Sequence, residues 1–171
     1  LPPDKAVAGD FDGDGRRDAA VYRPAEGNWY VLRSADGGNL IFNWGLATDV
    51  PVPGDFDGDG KTDFAVYRDG VWYISASADG IRIITFGLAD DMPVPGDYDG
   101  DGRDDIAVFR PSDGYWYILY SSNEAVDYIH FGLSGDVPVP GDYDGDGRDD
   151  QAVYRGGVWY LNQSTNGFAA A

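Results

Sequence analysis

The chain has 171 residues, no cysteine, 15% aromatic residues and a formal net charge of −18. So many aromatics exclude a disordered tail, the missing cysteines exclude a disulfide framework, and so acidic a surface repels nucleic acid and anionic membranes. No apolar run approaches a membrane span, no signal peptide is visible, and Leu1-Pro2-Pro3 reads as a mature start or the start of an internal segment.

Glu26 and Glu124 are the only glutamates, so 28 of the 30 acids are Asp. A surface that was merely soluble would mix the two. Asp has the shorter side chain and suits turns and compact oxygen cages.

Along the chain, Gly-Asp-aromatic-Asp-Gly-Asp-Gly-basic-X-Asp begins at Gly9, Gly54, Gly96 and Gly141, at intervals of 45, 42 and 45 residues. Each copy runs on to Ala-Val-aromatic-Arg, ending at Arg23, Arg68, Arg110 and Arg155. A Trp-Tyr pair follows, beginning at Trp29, Trp72, Trp116 and Trp159. An aromatic-Gly-Leu closes the unit at Trp44, Phe86 and Phe131. The chain is a four-fold tandem repeat.

Within a unit the elements read as four short strands. In the second copy these are Val50 to Asp55, Phe64 to Arg68, Val71 to Ser75 and Ile81 to Phe86. The first strand recurs at Met92 to Asp97 and Val137 to Asp142. Pro51 and Pro53 lie two apart, so their missing N–H groups point to one side, which only an edge strand tolerates. The step from the aromatic before Arg to the Trp is seven residues in copies one and three and five in copies two and four. The repeating unit can therefore be a pair of about 87 residues.

Four-stranded sheets at this period predict an all-β fold, a β-propeller of four four-stranded antiparallel blades forming one repeat domain. The blades span approximately 4–48, 49–90, 91–135 and 136–171. An open stack of the same sheets, or part of a larger propeller, is the alternative.

The loop after the first strand carries the chemistry. Asp55, Asp57 and Asp59 stand at positions one, three and five, and Asp63 at nine. Alternate residues of a curled loop converge, and Gly58 and Gly60 permit the turn. With the backbone carbonyl of Lys61 and water, the set offers six or seven oxygens, which suits calcium better than magnesium. The other copies supply Asp10, Asp12, Asp14, the Arg16 carbonyl and Asp18; Asp97, Asp99, Asp101, the Arg103 carbonyl and Asp105; and Asp142, Asp144, Asp146, the Arg148 carbonyl and Asp150. Four calcium ions per chain are expected. Without cations, sixteen clustered carboxylates would repel one another strongly. The loops lack Cys and His, which argues against zinc and copper. An EF-hand is excluded as well. Its bidentate Glu at position twelve is replaced by Val21, Val66, Val108 and Val153, and its flanking helices by strands.

These motifs resemble the FG-GAP repeats of the VCBS type, related to the integrin α-subunit propeller. Phe86-Gly87 and Phe131-Gly132 match the FG element, Pro53-Gly54-Asp55 stands near the GAP element, and all four Asp loops match the family's calcium pattern. The resemblance implies calcium in the hairpin between the first two strands of each blade, a secreted, bacterial cell-surface setting, and roles in adhesion or ligand display. Trp44 departs from the FG Phe, and the fourth copy has no FG element.

The Trp-Tyr pairs fit packing between blades, with sugar platforms as the alternative. The repeated Arg fits pairing with a carboxylate of its own or the next blade. His130 is the only histidine, so no catalytic triad can be built, and no enzyme activity is expected. Asn162-Gln163-Ser164 is a glycosylation sequon of the kind that arises by chance. The expected function is an extracellular calcium-binding module with a structural, adhesive or self-assembling role. A carbohydrate-binding lectin is the alternative, and a non-catalytic domain of a secreted enzyme is a distant third. Expected partners are protein, carbohydrate or further copies in a ring or filament, because Leu1 corresponds to Leu46 and Ala171 to Ile84 in the repeat.

Overall fold

Prolines decide where the first strand stops in three of the four sheets. In the computed structural model, which describes residues 3–171, the first blade contains β1 (Lys5–Gly9), β2 (Asp18–Arg23), β3 (Asn28–Leu32) and β4 (Asn39–Asn43). β1 has no proline and pairs with β2 over its whole length, from Lys5↔Tyr22 to Gly9↔Asp18. In the second blade β5 is only Val50–Pro51, beside β6 (Phe64–Arg68), β7 (Val71–Ala76) and β8 (Gly80–Thr85). The strand expected over Val50 to Asp55 is thus cut to two residues. Pro51 and Pro53 cannot donate to the ladder, and the pairing resumes only as a Val52 N–H to Ala65 carbonyl bond and a Gly54↔Asp63 bridge.

The third blade has β9 (Met92–Pro93), β10 (Ile106–Arg110), β11 (Tyr115–Leu119) and β12 (Val126–His130). The fourth has β13 (Val137–Pro138), β14 (Gln151–Arg155), β15 (Val158–Gln163) and β16 (Gly167–Ala170), with the same shortening at Pro93 and Pro138. Every sheet is an antiparallel meander in sequence order with its first strand at an edge, which in the last three blades is the proline strand. The fold is all-β, four four-stranded blades of the propeller kind. Among the described residues, no helix is long and apolar enough to cross a membrane.

The chain divides into two compact units, Leu1–Thr85 and Phe86–Ala171, each holding one pair of blades. The alternating spacing in the sequence has a structural cause. Four residues, Pro24 to Gly27, join β2 to β3, whereas Asp69 and Gly70 alone join β6 to β7, with φ of 49° and 86°. Gly156 and Gly157 turn β14 into β15 the same way. Two-residue turns with positive φ match the twist of the flanking strands.

In the first unit the core lies between the two blades. Phe64 of β6 sits 4.9 Å from Phe11, 5.4 Å from Trp29 and 4.5 Å from Phe42. Val66 and Tyr73 of the second blade pack on the same cluster as Tyr22 and Val31 of the first. In the second unit Val153 and Tyr160 of the fourth blade pack on Tyr98, Phe109, Trp116 and Ile118 of the third. Trp29, Trp72 and Trp116 are fully buried, each contributing roughly 2–3 kcal/mol of burial. The indole N–H groups of Trp29 and Trp116 donate to the carbonyls of Trp44 and Phe131, at 2.8 and 2.7 Å. This explains the aromatic-Gly-Leu element: its aromatic residue offers the acceptor for the core Trp. Gly132 follows at φ 156°, where a Cβ would lie 2.6 Å from the Phe109 ring, so only glycine fits.

Candidate metal-binding loops

The hairpin joining the first two strands of each blade folds around its own first Asp. In the second blade Asp55 Oδ1 accepts from Gly58 N–H at 2.7 Å and from Asp59 N–H at 3.2 Å, and Oδ2 from Gly60 N–H at 2.9 Å. Gly58 and Gly60 hold φ of 72° and 85°, the turn the sequence pattern called for. Asp10, Asp97 and Asp142 each accept the same three bonds in their own loops.

Four groups of carboxylates result, each with its oxygens within 4.8 Å of one another: Asp10, Asp12 and Asp18; Asp55, Asp57 and Asp63; Asp97, Asp99 and Asp101; Asp142, Asp144 and Asp146. Positions one and three belong to every group. The third member is position nine in the first two blades and position five in the last two, so Asp14, Asp59, Asp105 and Asp150 lie outside these tight groups. The backbone N–H groups of Arg16, Lys61, Arg103 and Arg148 donate to the position-five Asp of their loops.

The buried ninth residue does more than line the loop. Asp63 Oδ2 accepts from Phe56 N–H at 3.0 Å and Oδ1 from Ser77 N–H at 2.8 Å. Asp18, Asp105 and Asp150 repeat both bonds, with Ser34, Ser121 and Ser164 as the second donor. The same serine hydroxyls donate to Asp14, Asp59, Asp101 and Asp146 at 2.6–2.8 Å. These serines escaped the reading of the motif, although a regular signal marks them: each lies five residues after its Trp. The loop between the third and fourth strands also clamps position three. Asp57 Oδ2 accepts from Ala78 and Asp79 N–H, and Asp99 Oδ2 from the Ser122 hydroxyl.

Electrostatics follow these contacts. Burial pushes the Asp63 and Asp105 carboxyls up to about 6, against the lowering effect of their N–H donors. At Asp10 burial is outweighed by the N–H groups of Gly15, Gly13 and Asp14, so its carboxyl titrates below the ordinary value. The Ser77 hydroxyl lowers Asp59, and Thr165, Ser164 and Arg148 lower Asp146.

A cation fits this donor set. All the converging groups are hard carboxylate oxygens, and one is orphaned: Asp144 Oδ1 is buried with no hydrogen-bond partner, while Oδ2 accepts from Thr165 and Asn166 N–H.

The repeated arginines are committed elsewhere, each to the Asp leading into its own blade. Arg68 grips Asp49 at 2.6 and 2.8 Å, Arg110 grips Asp91 at 2.8 and 2.9 Å, and Arg23 and Arg155 hold Asp4 and Asp136 likewise. Each guanidinium also lies 4.1–4.6 Å over the Tyr of its own Trp-Tyr pair. His130 stacks on Tyr115 at 4.7 Å on the exposed edge of the third blade.

Fold and loops define a class: an all-β repeat protein of propeller-type blades, each carrying an acidic loop able to chelate a metal ion. The FG-GAP-like repeat family matches residues 97–153, which span the third and fourth loops. Two solved structures share the fold. One describes specific recognition of non-reducing terminal N-acetylglucosamine by an Agrocybe aegerita lectin, at 15% identity and a TM-score of 0.66, covering 96% of this chain and 50% of that one. The other is BBS1N in complex with ARL6DN, soaked with lead, at 11% identity and a TM-score of 0.54, covering 96% of this chain and 54% of that one. The chain thus spans about half the length of both. No curated protein matches the sequence.

Proposed function

We propose that all four blades are calcium-binding repeats of the FG-GAP type, and that the chain is a non-catalytic extracellular module presenting a rigid surface to a protein partner or to further copies of itself. The observation that carries this reading is the four-fold convergence of carboxylates, with the buried Asp144 Oδ1, which has no hydrogen-bond partner, suited to ligate a cation. Asp10, Asp12, Asp14, Asp18 and the Arg16 carbonyl would hold one ion in the first blade. Asp55, Asp57, Asp59, Asp63 and the Lys61 carbonyl would do so in the second. Asp97, Asp99, Asp101, Asp105 and the Arg103 carbonyl would serve in the third, and Asp142, Asp144, Asp146, Asp150 and the Arg148 carbonyl in the fourth. The ion would offset about half of the negative charge of each cluster and lock the two loops of each blade together, and the four blades would act as one domain. The family match over two of the loops supports the assignment, and the secreted bacterial setting and the absence of nucleic-acid or membrane partners belong to the same proposal. Isothermal titration with calcium tests it. Four sites per chain are expected, three in Asp57→Asn, and an unchanged stoichiometry in that variant would rule out the ligand assignment.

Carbohydrate binding is the second reading, favoured by the lectin's fold and by a cavity of about 210 Å³ lined by Trp44, Leu46, Val66, Arg68 and Tyr73. Three of the four repeated Trp are buried, and Arg68 is held by Asp49, which leaves few polar groups to grip a sugar. A glycan array with and without calcium separates the readings. Calcium-dependent capture of a defined sugar favours the lectin.

A further inference from the structure

The seam between blades is built twice within the described units, and half of it lies open on the fourth blade. In the first unit Thr62 of the second blade donates its N–H to the Asp10 carbonyl at 2.7 Å, and its hydroxyl oxygen accepts from Asp10 N–H at 2.9 Å. In the second unit Asp149 of the fourth blade makes the same pair of bonds to Asp97, at 2.7 and 3.2 Å. The basic residue just before also reaches across. A Cβ on Gly13 would meet Lys61, and one on Gly100 would meet Arg148. Beneath these contacts lie Trp29 and Trp116, with Val66 and Val153 of the following blade packed on their clusters.

On the fourth blade the equivalent groups are bare. Trp159 is 40% exposed where Trp29 and Trp116 are 0%, and Tyr143 and Tyr154 beside it are exposed too. Around Gly145 there is open space, and the nearest group to a Cβ on Gly141 is Tyr143 of its own loop. The complementary half-seam is the outer face of the first blade. Val21 is only half-buried there, although its equivalents Val66, Val108 and Val153 are buried. A cavity of about 390 Å³ opens on that face among Ala19, Val21, Tyr30, Leu32 and Ile41.

We propose that the Trp159 face of the fourth blade is covered by the first blade of a second copy of this chain, repeating the internal seam. Val21 and Tyr30 of the incoming copy would occupy the places that Val66 and Tyr73 hold on the first blade. Arg16 would lie over Gly145 as Lys61 lies over Gly13; Arg17, at the place of Thr62, could repeat only the backbone N–H bond to the Asp142 carbonyl, since a guanidinium accepts no hydrogen bond, and would bring a second positive charge to the acidic Asp142 loop. The two faces differ, so the contact is head to tail. The proposal deepens the reading of a self-presenting calcium module by naming the partner and its surface.

Sedimentation equilibrium over a concentration series in calcium tests it. The wild type is expected to reach at least twice the 18.5 kDa of one chain. Trp159→Arg and Val21→Glu alter opposite halves of the seam, so each alone should stay at the mass of one chain. Their equimolar mixture retains one intact seam and should form a two-chain species. Ala19→Arg, on the same face, replaces Val21→Glu should circular dichroism show that variant unfolded. A one-chain mass for the wild type at every concentration, or a mixture that fails to pair, overturns the proposal. A parallel series in chelator keeps the two readings apart. Calcium-bound single chains defeat only the seam, whereas assembly without bound calcium defeats only the calcium reading.

Discussion

The hydroxyl of Ser77 donates to Asp59 at 2.6 Å while the N–H of the same residue donates to buried Asp63. One residue in the hairpin between β7 and β8, through its hydroxyl and its backbone N–H, thereby fixes two acids of the loop between β5 and β6. The metal loop is therefore a property of two hairpins and not of a single motif.

Ser77→Ala keeps the N–H bond to Asp63 and removes the bond to Asp59. A hydrogen bond to a charged group at this exposed site is worth about 1 kcal/mol or less. Urea denaturation in calcium should show a loss of that size. Calcium titration should show one of the four sites weakened several-fold with the others unchanged; four equal sites would show that the serine plays no part in holding the ion.

Chelation should lower stability sharply. With calcium at ten times a dissociation constant of about 0.1 mM, each site adds about 1.4 kcal/mol and four add about 6 kcal/mol. That is comparable to the whole stability of many domains. Thermal melts in calcium and in excess chelator check this, and coincident melting temperatures would count against integral calcium.

Trp116→Ala should cost about 3–5 kcal/mol, because the indole is fully buried and holds the Phe131 carbonyl. Trp159→Ala, at the corresponding position but 40% exposed, should cost roughly 1 kcal/mol when measured on dilute single chains. Similar losses at the two sites would contradict the burial pattern.

The Arg155 guanidinium holds the Asp136 carboxyl below its ordinary value of 3.8. A depressed folded-state value means that the stabilisation is present above the unfolded value and is lost as pH falls through the folded one. The stability difference between wild type and Asp136→Asn should therefore be full at pH 5 and shrink below pH about 4. Chemical denaturation in chelator across that range measures it, and a gap that widens in acid would contradict the sign.

Much of this protein was legible in the sequence because a repeat states its pattern four times. The period, the strands, the two-residue turns at Asp69-Gly70 and Gly156-Gly157 and the convergence of Asp55 with Asp57 are local, and local spacing determines them through backbone geometry. The prolines placed the edge strand correctly but concealed how short it is, since a ladder ends where donors run out and not where β-forming residues do. Ser34, Ser77, Ser121 and Ser164 stay silent in a loop motif because they reach it from another hairpin, 22 or 24 residues after the first Asp of the loop. Only the folded chain decided which Asp meets each Arg and which faces of the blades are covered. Trp159 holds the place in its repeat that Trp116 holds in the third blade, yet it is exposed, because burial depends on the neighbouring blade and not on the residue's own repeat.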